Sequence, residues 1–148
     1  MPRDTDVMYV LLVEDNPGDV LLTQEVLATS EIDTVLTVVG DGEAAIAYLD
    51  AAGGFRDRVR PDLVLLDLNL PGKTGVEVLS HVKADRRLRG LPVVVLTSSR
   101  AQADVADAYD RHANTYVAKP MGFSDYGRII RCIEDYWFRA AELPPARS

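Results

Sequence analysis

Apolar residues along this chain follow two alternating rhythms. Short runs rich in β-branched residues, at Met8 to Val13, Thr34 to Val39, Asp62 to Leu66, Pro92 to Leu96 and Thr115 to Ala118, predict five strands. Between them, apolar positions recur at helical spacing over Asp19 to Ala28, Glu43 to Leu49, Val76 to Val82, Ala101 to Arg111 and Ser124 to Phe138. The third and fourth strand segments are almost continuously apolar, as expected of strands covered by helices on both faces. Thr34 to Val39 carries two threonines and suits a place nearer the sheet edge. Asn16-Pro17 marks the entry to the first helix, because proline there removes only an N–H that has no helical partner. This alternation predicts an α/β fold, a doubly wound parallel sheet of five strands with five helices. Asp50 to Arg60, with Gly53-Gly54 and three arginines, reads as an exposed loop, and the tail after Ala141 as frayed.

A length of 148 residues fits one domain, with a core from about residue 8 to residue 138 and short tails. Sixteen Lys and Arg against 23 Asp and Glu give a net charge of −7. That balance argues against nucleic acid and anionic lipid as partners, since phosphate neutralisation needs basic clusters. The longest apolar stretches fall far short of the ~20 residues of a membrane span. Residues 1–6 are polar where a secretory leader would be basic and then apolar. A soluble, cytoplasmic protein is the expectation. The lone cysteine, Cys132, reads as a small core or interface hydrophobe.

Open parallel sheets bind ligands beyond the carboxyl ends of their strands. Glu14-Asp15 follow the first strand, Asp67 ends the third, Thr97-Ser98 end the fourth, and Lys119-Pro120 follow the fifth. Three carboxylates, a hydroxyl and a lysine are thereby predicted to converge on one edge. Clustered carboxylates repel one another, and Mg²⁺, which takes hard oxygen ligands, is the natural compensation. Phosphoryl oxygens could complete its shell, with Thr97 donating a hydrogen bond and Lys119 a positive charge. Asp67 could then act as an oxygen nucleophile and form an aspartyl phosphate.

Val13-Glu14-Asp15-Asn16, Leu65 to Pro71 with Gly75, Leu96-Thr97-Ser98 and Tyr116 to Pro120 together resemble the response-regulator receiver domain of two-component signalling. The resemblance covers about Met8 to Phe138 and implies a flavodoxin-like sheet of order 2-1-3-4-5. It implies Asp67 as phosphoacceptor, Asp15 as direct Mg²⁺ ligand, Glu14 as its acidic neighbour, and Asn69 as the source of a main-chain carbonyl ligand. It further implies Thr97 as the switch hydroxyl, followed by Ser98, with Lys119 binding the phosphoryl group and Tyr116 as the aromatic that moves inward. The Lys119–Pro120 peptide bond is cis in the family. The implied partner is a sensor histidine kinase. Val13 to Val20, Leu68 to Lys73 and Tyr136-Trp137-Phe138 resemble regulators paired with bacterial phytochromes, which makes a bacteriophytochrome the candidate kinase. Output would run through protein–protein contact or a downstream phosphotransfer protein, with only a short tail after the last helix.

Two other readings compete. An aspartyl-phosphate phosphotransferase or phosphatase would need a second acid and a substrate cap, and Asn69 stands where such an acid would follow Asp67. A pseudo-receiver binding module typically lacks the metal acids or the lysine, and here all are present. Gly72-Lys73-Thr74 resembles the end of a nucleotide-binding loop, but Asp67 occupies the position of its first glycine. His81 and His112 read as solvated helix positions. The runs Arg56, Arg58, Arg60 and Lys83, Arg86, Arg87, Arg89 read as solvated charge.

In the last helix, Phe123, Tyr126, Ile130, Ile133 and Trp137 repeat at helical spacing and are predicted to pack on the sheet. Ile129, Cys132, Tyr136 and Phe138 lie off that stripe. So wide an apolar arc predicts a homodimer through this helix and the fifth strand, with a monomer bearing a broad core-facing stripe as the alternative.

Overall fold

The computed structural model describes residues 7–145. Five strands, β1 (Val7–Val13), β2 (Asp33–Val39), β3 (Leu63–Leu66), β4 (Val93–Thr97) and β5 (Thr115–Ala118), form one parallel sheet of order β2-β1-β3-β4-β5. Helices α1 (Pro17–Ala28), α2 (Gly42–Leu49), α3 (Gly75–Ala84), α4 (Gln102–Asp110) and α5 (Phe123–Glu134) alternate with them, and α5 runs on into a π-helical turn over Asp135–Ala140. Strand order reverses between β1 and β3, so a crevice opens beyond their carboxyl ends.

Successive strand residues point to opposite faces, and both faces are dry. Leu11, Val13, Val64, Leu66, Val93 and Val95 pack with buried residues of α2, α3 and α4. Val10, Leu12, Leu63, Leu65, Val94 and Leu96 pack against α1 and α5. The continuous apolar runs of β3 and β4 follow from this double cover. β5 is an edge strand, half-buried at every residue.

Helix entries follow local chemistry. The Asn16 side chain accepts from Gly18 N at 2.9 Å and Asp19 N at 3.1 Å, with proline in the first turn of α1. Thr74 and Glu77 form a reciprocal capping box at α3.

Several surface expectations change. Arg58 donates to the carbonyls of Tyr48 (2.8 Å) and Leu49 (2.6 Å), satisfying the open end of α2, and Phe55 packs edge-on against Tyr48. The Asp50 to Arg60 connection is therefore partly pinned down and includes a 3₁₀ turn at Gly53–Phe55. Lys83 is half-buried and donates to Arg89 O, Leu91 O and Asn114 Oδ1. His81 pairs with Asp50 at 2.7 Å, and His112 sits past α4 in a left-handed conformation with φ +70°. Leu143 of the expected frayed tail packs against the α1–α5 core.

On α5, Tyr126, Ile130 and Ile133 are buried and Trp137 packs beside them, as the spacing predicts. Phe123 is 67% exposed instead. It occupies the first turn of α5, with its ring edge towards Gly18 of α1. Ile129 and Phe138, expected on an outer face, are half-buried against the core, while Cys132 and Tyr136 stay exposed.

Candidate functional site

Each strand that ends at the crevice delivers one part of the site. β1 leads into Glu14, which is 2% exposed, and into the exposed Asp15. The Glu14 carboxylate accepts from Asp15 N at 3.1 Å and Asn16 N at 3.4 Å, which directs it inward at the tight turn into α1. β3 leads into Asp67, 7% exposed, whose amide donates to Val13 O at 3.0 Å and whose Oδ1 accepts from Asn69 N at 3.0 Å. β4 ends in the fully buried Thr97, whose hydroxyl oxygen accepts from Asn69 Nδ2 at 3.3 Å. β5 leads into Lys119, whose amide donates to Thr97 O at 2.7 Å.

Lys119 is the hub. Its Nζ bonds Glu14 Oε1, reaches Asp19 Oδ2 at 2.9 Å and Asp67 Oδ2 at 3.2 Å, and lies 5.9 Å from the centroid of the Tyr126 ring. Burial opposes the charge on this ammonium, but Glu14, Asp19 and Asp67 hold it above the usual lysine range. Burial and the neighbouring Asp67 push Glu14 up to about 8, against the pull of Lys119. The carboxylates are thus compensated by the chain's own lysine, where sequence reasoning assigned that task to a metal alone.

Carboxylate oxygens of Glu14, Asp15 and Asp67 lie within 4.8 Å of one another. Three hard oxygen donors at that spacing, one of them exposed, fit a divalent cation that keeps part of its water. Lys119, which now bonds two of the same carboxyl groups, is the group a cation would partly displace.

Asp67, Glu14, Asp15, Asn69, Thr97 and Lys119 are therefore brought together as expected. Tyr116 is half-buried against the α2–α4 core, its hydroxyl donating to Ser99 O at 2.9 Å. Ser98 is exposed, and its neighbour Ser99 carries the contacts of the loop, donating to Asp104 at 2.5 Å. The expected cis bond before Pro120 is a correction, since no cis peptide occurs among the described residues. A trans bond is intrinsically favoured before proline by about 0.5–1 kcal/mol. With it, Lys119 still makes its amide bond to Thr97 and its three carboxylate contacts.

Asp19 is a site residue that sequence reasoning missed. It lies in the first turn of α1, four residues after Asp15, so the signal was a helix-entry acid facing the same edge. Tyr126 was seen only as core, and its ring also faces the lysine.

Residues 10–131 match the family model described as the response regulator receiver domain. The chain is 44% identical over 137 residues to the response regulator Rcp1 of Synechocystis sp., covering 93% of each protein. It superposes with a TM-score of 0.92 on the phosphorylated cyanobacterial phytochrome response regulator RcpA, at 43% identity, covering 93% of this chain and 99% of that one. The Mn²⁺-bound form of Rcp1 gives a TM-score of 0.91, again at 43% identity and with the same coverage. With a matched model across most of its length and the same five-stranded sheet, the chain belongs to the response regulator receiver domain family.

Proposed function

We propose that Asp67 accepts a phosphoryl group from a phosphohistidine of a sensor histidine kinase, and that this kinase is of the phytochrome type. The convergence of Asp67, Glu14, Asp15, Thr97 and Lys119 at one sheet edge carries the reading. The phytochrome assignment is supported by the relatives, one of which is a cyanobacterial phytochrome response regulator.

In the transfer, an oxygen of Asp67 forms the new P–O bond as the P–N bond of the donor breaks, and the imidazole leaves with the electron pair. Mg²⁺, held by Glu14, Asp15, Asp67 and the Asn69 carbonyl, would supply charge neutralisation at the phosphoryl oxygens. Lys119 already lies against Asp67 and offers positive charge there. Thr97 uses its oxygen as an acceptor from Asn69, which leaves its O–H free to donate to a phosphoryl oxygen. Tyr116 packs beside that loop and transmits the closure of Thr97 towards β5 and α4. Output then proceeds by protein–protein contact or by transfer to a phosphotransfer protein.

The test is phosphorylation by an acyl phosphate or a phosphorylated kinase, read by intact mass. Wild type gains one phosphoryl group only with Mg²⁺, and Asp67→Asn gains none. Modification of the variant at the wild-type rate would place the acceptor elsewhere. Sustained multiple turnover of the donor would favour the phosphatase reading.

Self-association through α5 and β5 is proposed on a narrower face than the sequence predicts. Exposed Tyr136 and Cys132 support it, as does the half-buried edge strand β5. Sedimentation showing only monomer at tens of micromolar, with and without a phosphoryl mimic, would end this part of the proposal.

A further inference from the structure

We infer that Glu43 is a positioning residue for the metal-binding loop. From the first turn of α2 its carboxylate fixes the main chain after Asn69, and so holds the Asn69 carbonyl in place for the divalent cation. This inference rests on the Mg²⁺ reading above.

The loop between β3 and α3 is tied at both ends. Asn69 N donates to Asp67 Oδ1 at 3.0 Å, Gly75 N donates to Leu68 O at 3.1 Å, and Thr74 is held by its capping box. In the intervening stretch, Lys73 N donates to Glu43 Oε1 at 2.9 Å, a bond that reaches out to another element. The approach is close on both sides. A Cβ on Gly72 would overlap the Glu43 carboxylate, and a Cβ on Gly42 would overlap Lys73 O. Gly72 also has φ +71°, a conformation that costs glycine little. Two glycines therefore let α2 and the loop meet, and Glu43 supplies the polar contact between them.

The position of Glu43 suits this role. A carboxylate in the first turn of a helix is favoured by the helix dipole, and its bond to an amide N–H is charge-assisted. Mg²⁺ demands near-ideal octahedral geometry, so a carbonyl ligand on an unanchored loop must be ordered when the ion binds. An anchored loop has met that requirement beforehand.

Two variants separate positioning from charge. Glu43→Ala removes the acceptor and the charge, whereas Glu43→Gln removes only the charge and keeps an acceptor oxygen. Isothermal titration of the full chain with Mg²⁺ should show affinity weakened roughly three- to tenfold in Glu43→Ala, the worth of one such hydrogen bond. Glu43→Gln should stay within about twofold of wild type by the same reasoning. Amide hydrogen exchange at Lys73 should accelerate in the alanine variant alone. Wild-type Mg²⁺ affinity in Glu43→Ala, or equal weakening in both variants, would overturn the role of Glu43. Failure of wild type to bind Mg²⁺, or unchanged binding in Asp15→Ala, would instead fault the metal reading itself.

Discussion

Lys119 Nζ donates to Asp19 Oδ2 across 2.9 Å, joining the end of β5 to the first turn of α1. With Glu14 and Asp67 on the same ammonium, one cation serves three carboxyl groups, and all four side chains are less than a fifth exposed. Removing the cation leaves them facing one another in a low-dielectric setting. Lys119→Met should therefore lower the unfolding free energy of the metal-free chain by about 3 kcal/mol, the lower end for a broken buried pair, because Glu14 can take up a proton. The same variant should gain more from Mg²⁺ than wild type does, since the ion then replaces the missing charge. Thermal melts with and without Mg²⁺ check both statements, and equal Mg²⁺ gains would show that lysine and metal do not share these carboxylates.

Asp15 is the exposed member of the acidic group, and Lys119 makes no bond to it. In the metal-free chain its charge stands beside that of Asp67, and with Mg²⁺ it contributes a ligand. Asp15→Ala should melt higher than wild type without metal and lose most of the Mg²⁺-induced gain. At ten times the dissociation constant that gain is about 1.4 kcal/mol, or a shift of roughly 2–4 °C per kcal/mol. An intact Mg²⁺ response would make Asp15 structural and place the ion elsewhere.

What the sequence conveyed depended on whether a signal was local. All five strands were legible, and β5 was placed to the residue, because short runs rich in β-branched residues between turn residues mark strands at the centre and at the edge of the sheet alike. The acids, the hydroxyl and the lysine were legible because each ends a strand, so their meeting follows from topology. Asp19 was not, since its role depends on the rotation of α1 and on how far the Lys119 side chain reaches. Phe123 fits a helical stripe by spacing, yet it is the first residue of α5 and the packed stripe starts at Tyr126. Lys83 and Arg58 read as solvated charge, and only the tertiary fold brings open carbonyls within their reach.

Lys83 gives a pH signature. Its three N–H donors meet Arg89 O at 3.2 Å, Leu91 O at 2.9 Å and Asn114 Oδ1 at 3.0 Å. Burial pushes its pKa down to about 8 from 10.5. Between those values the unfolded chain holds a proton that the folded chain has released, so this group makes stability rise with pH across that window. Lys83→Met should be less stable by about 1–3 kcal/mol at pH 7, having left carbonyls without donors. Its deficit relative to wild type should widen between pH 8 and pH 10.5. Denaturant titrations at several pH values measure this, and a constant or shrinking deficit would mean that the carbonyls hold the ammonium charged against burial.

Tyr126 presents its ring to Lys119, while its hydroxyl, in a side chain only 3% exposed, has the Thr23 side chain as a neighbour but makes no hydrogen bond of ordinary geometry. A buried unpaired hydroxyl costs about 1–3 kcal/mol, whereas the ring's attraction for the ammonium does not depend on the oxygen. Tyr126→Phe should therefore be stabilising by about 1 kcal/mol, raising the melting temperature by roughly 2–4 °C. Tyr126→Leu keeps an apolar group but gives up the π face, and should lose about 1 kcal/mol relative to Phe through that contact alone. The ordering Phe above Tyr above Leu, measured by thermal denaturation without metal, is the expected result. If Phe instead falls below Tyr, the hydroxyl bonds the Thr23 side chain or an ordered water, and the ring is held at the site by its oxygen as well as by its face.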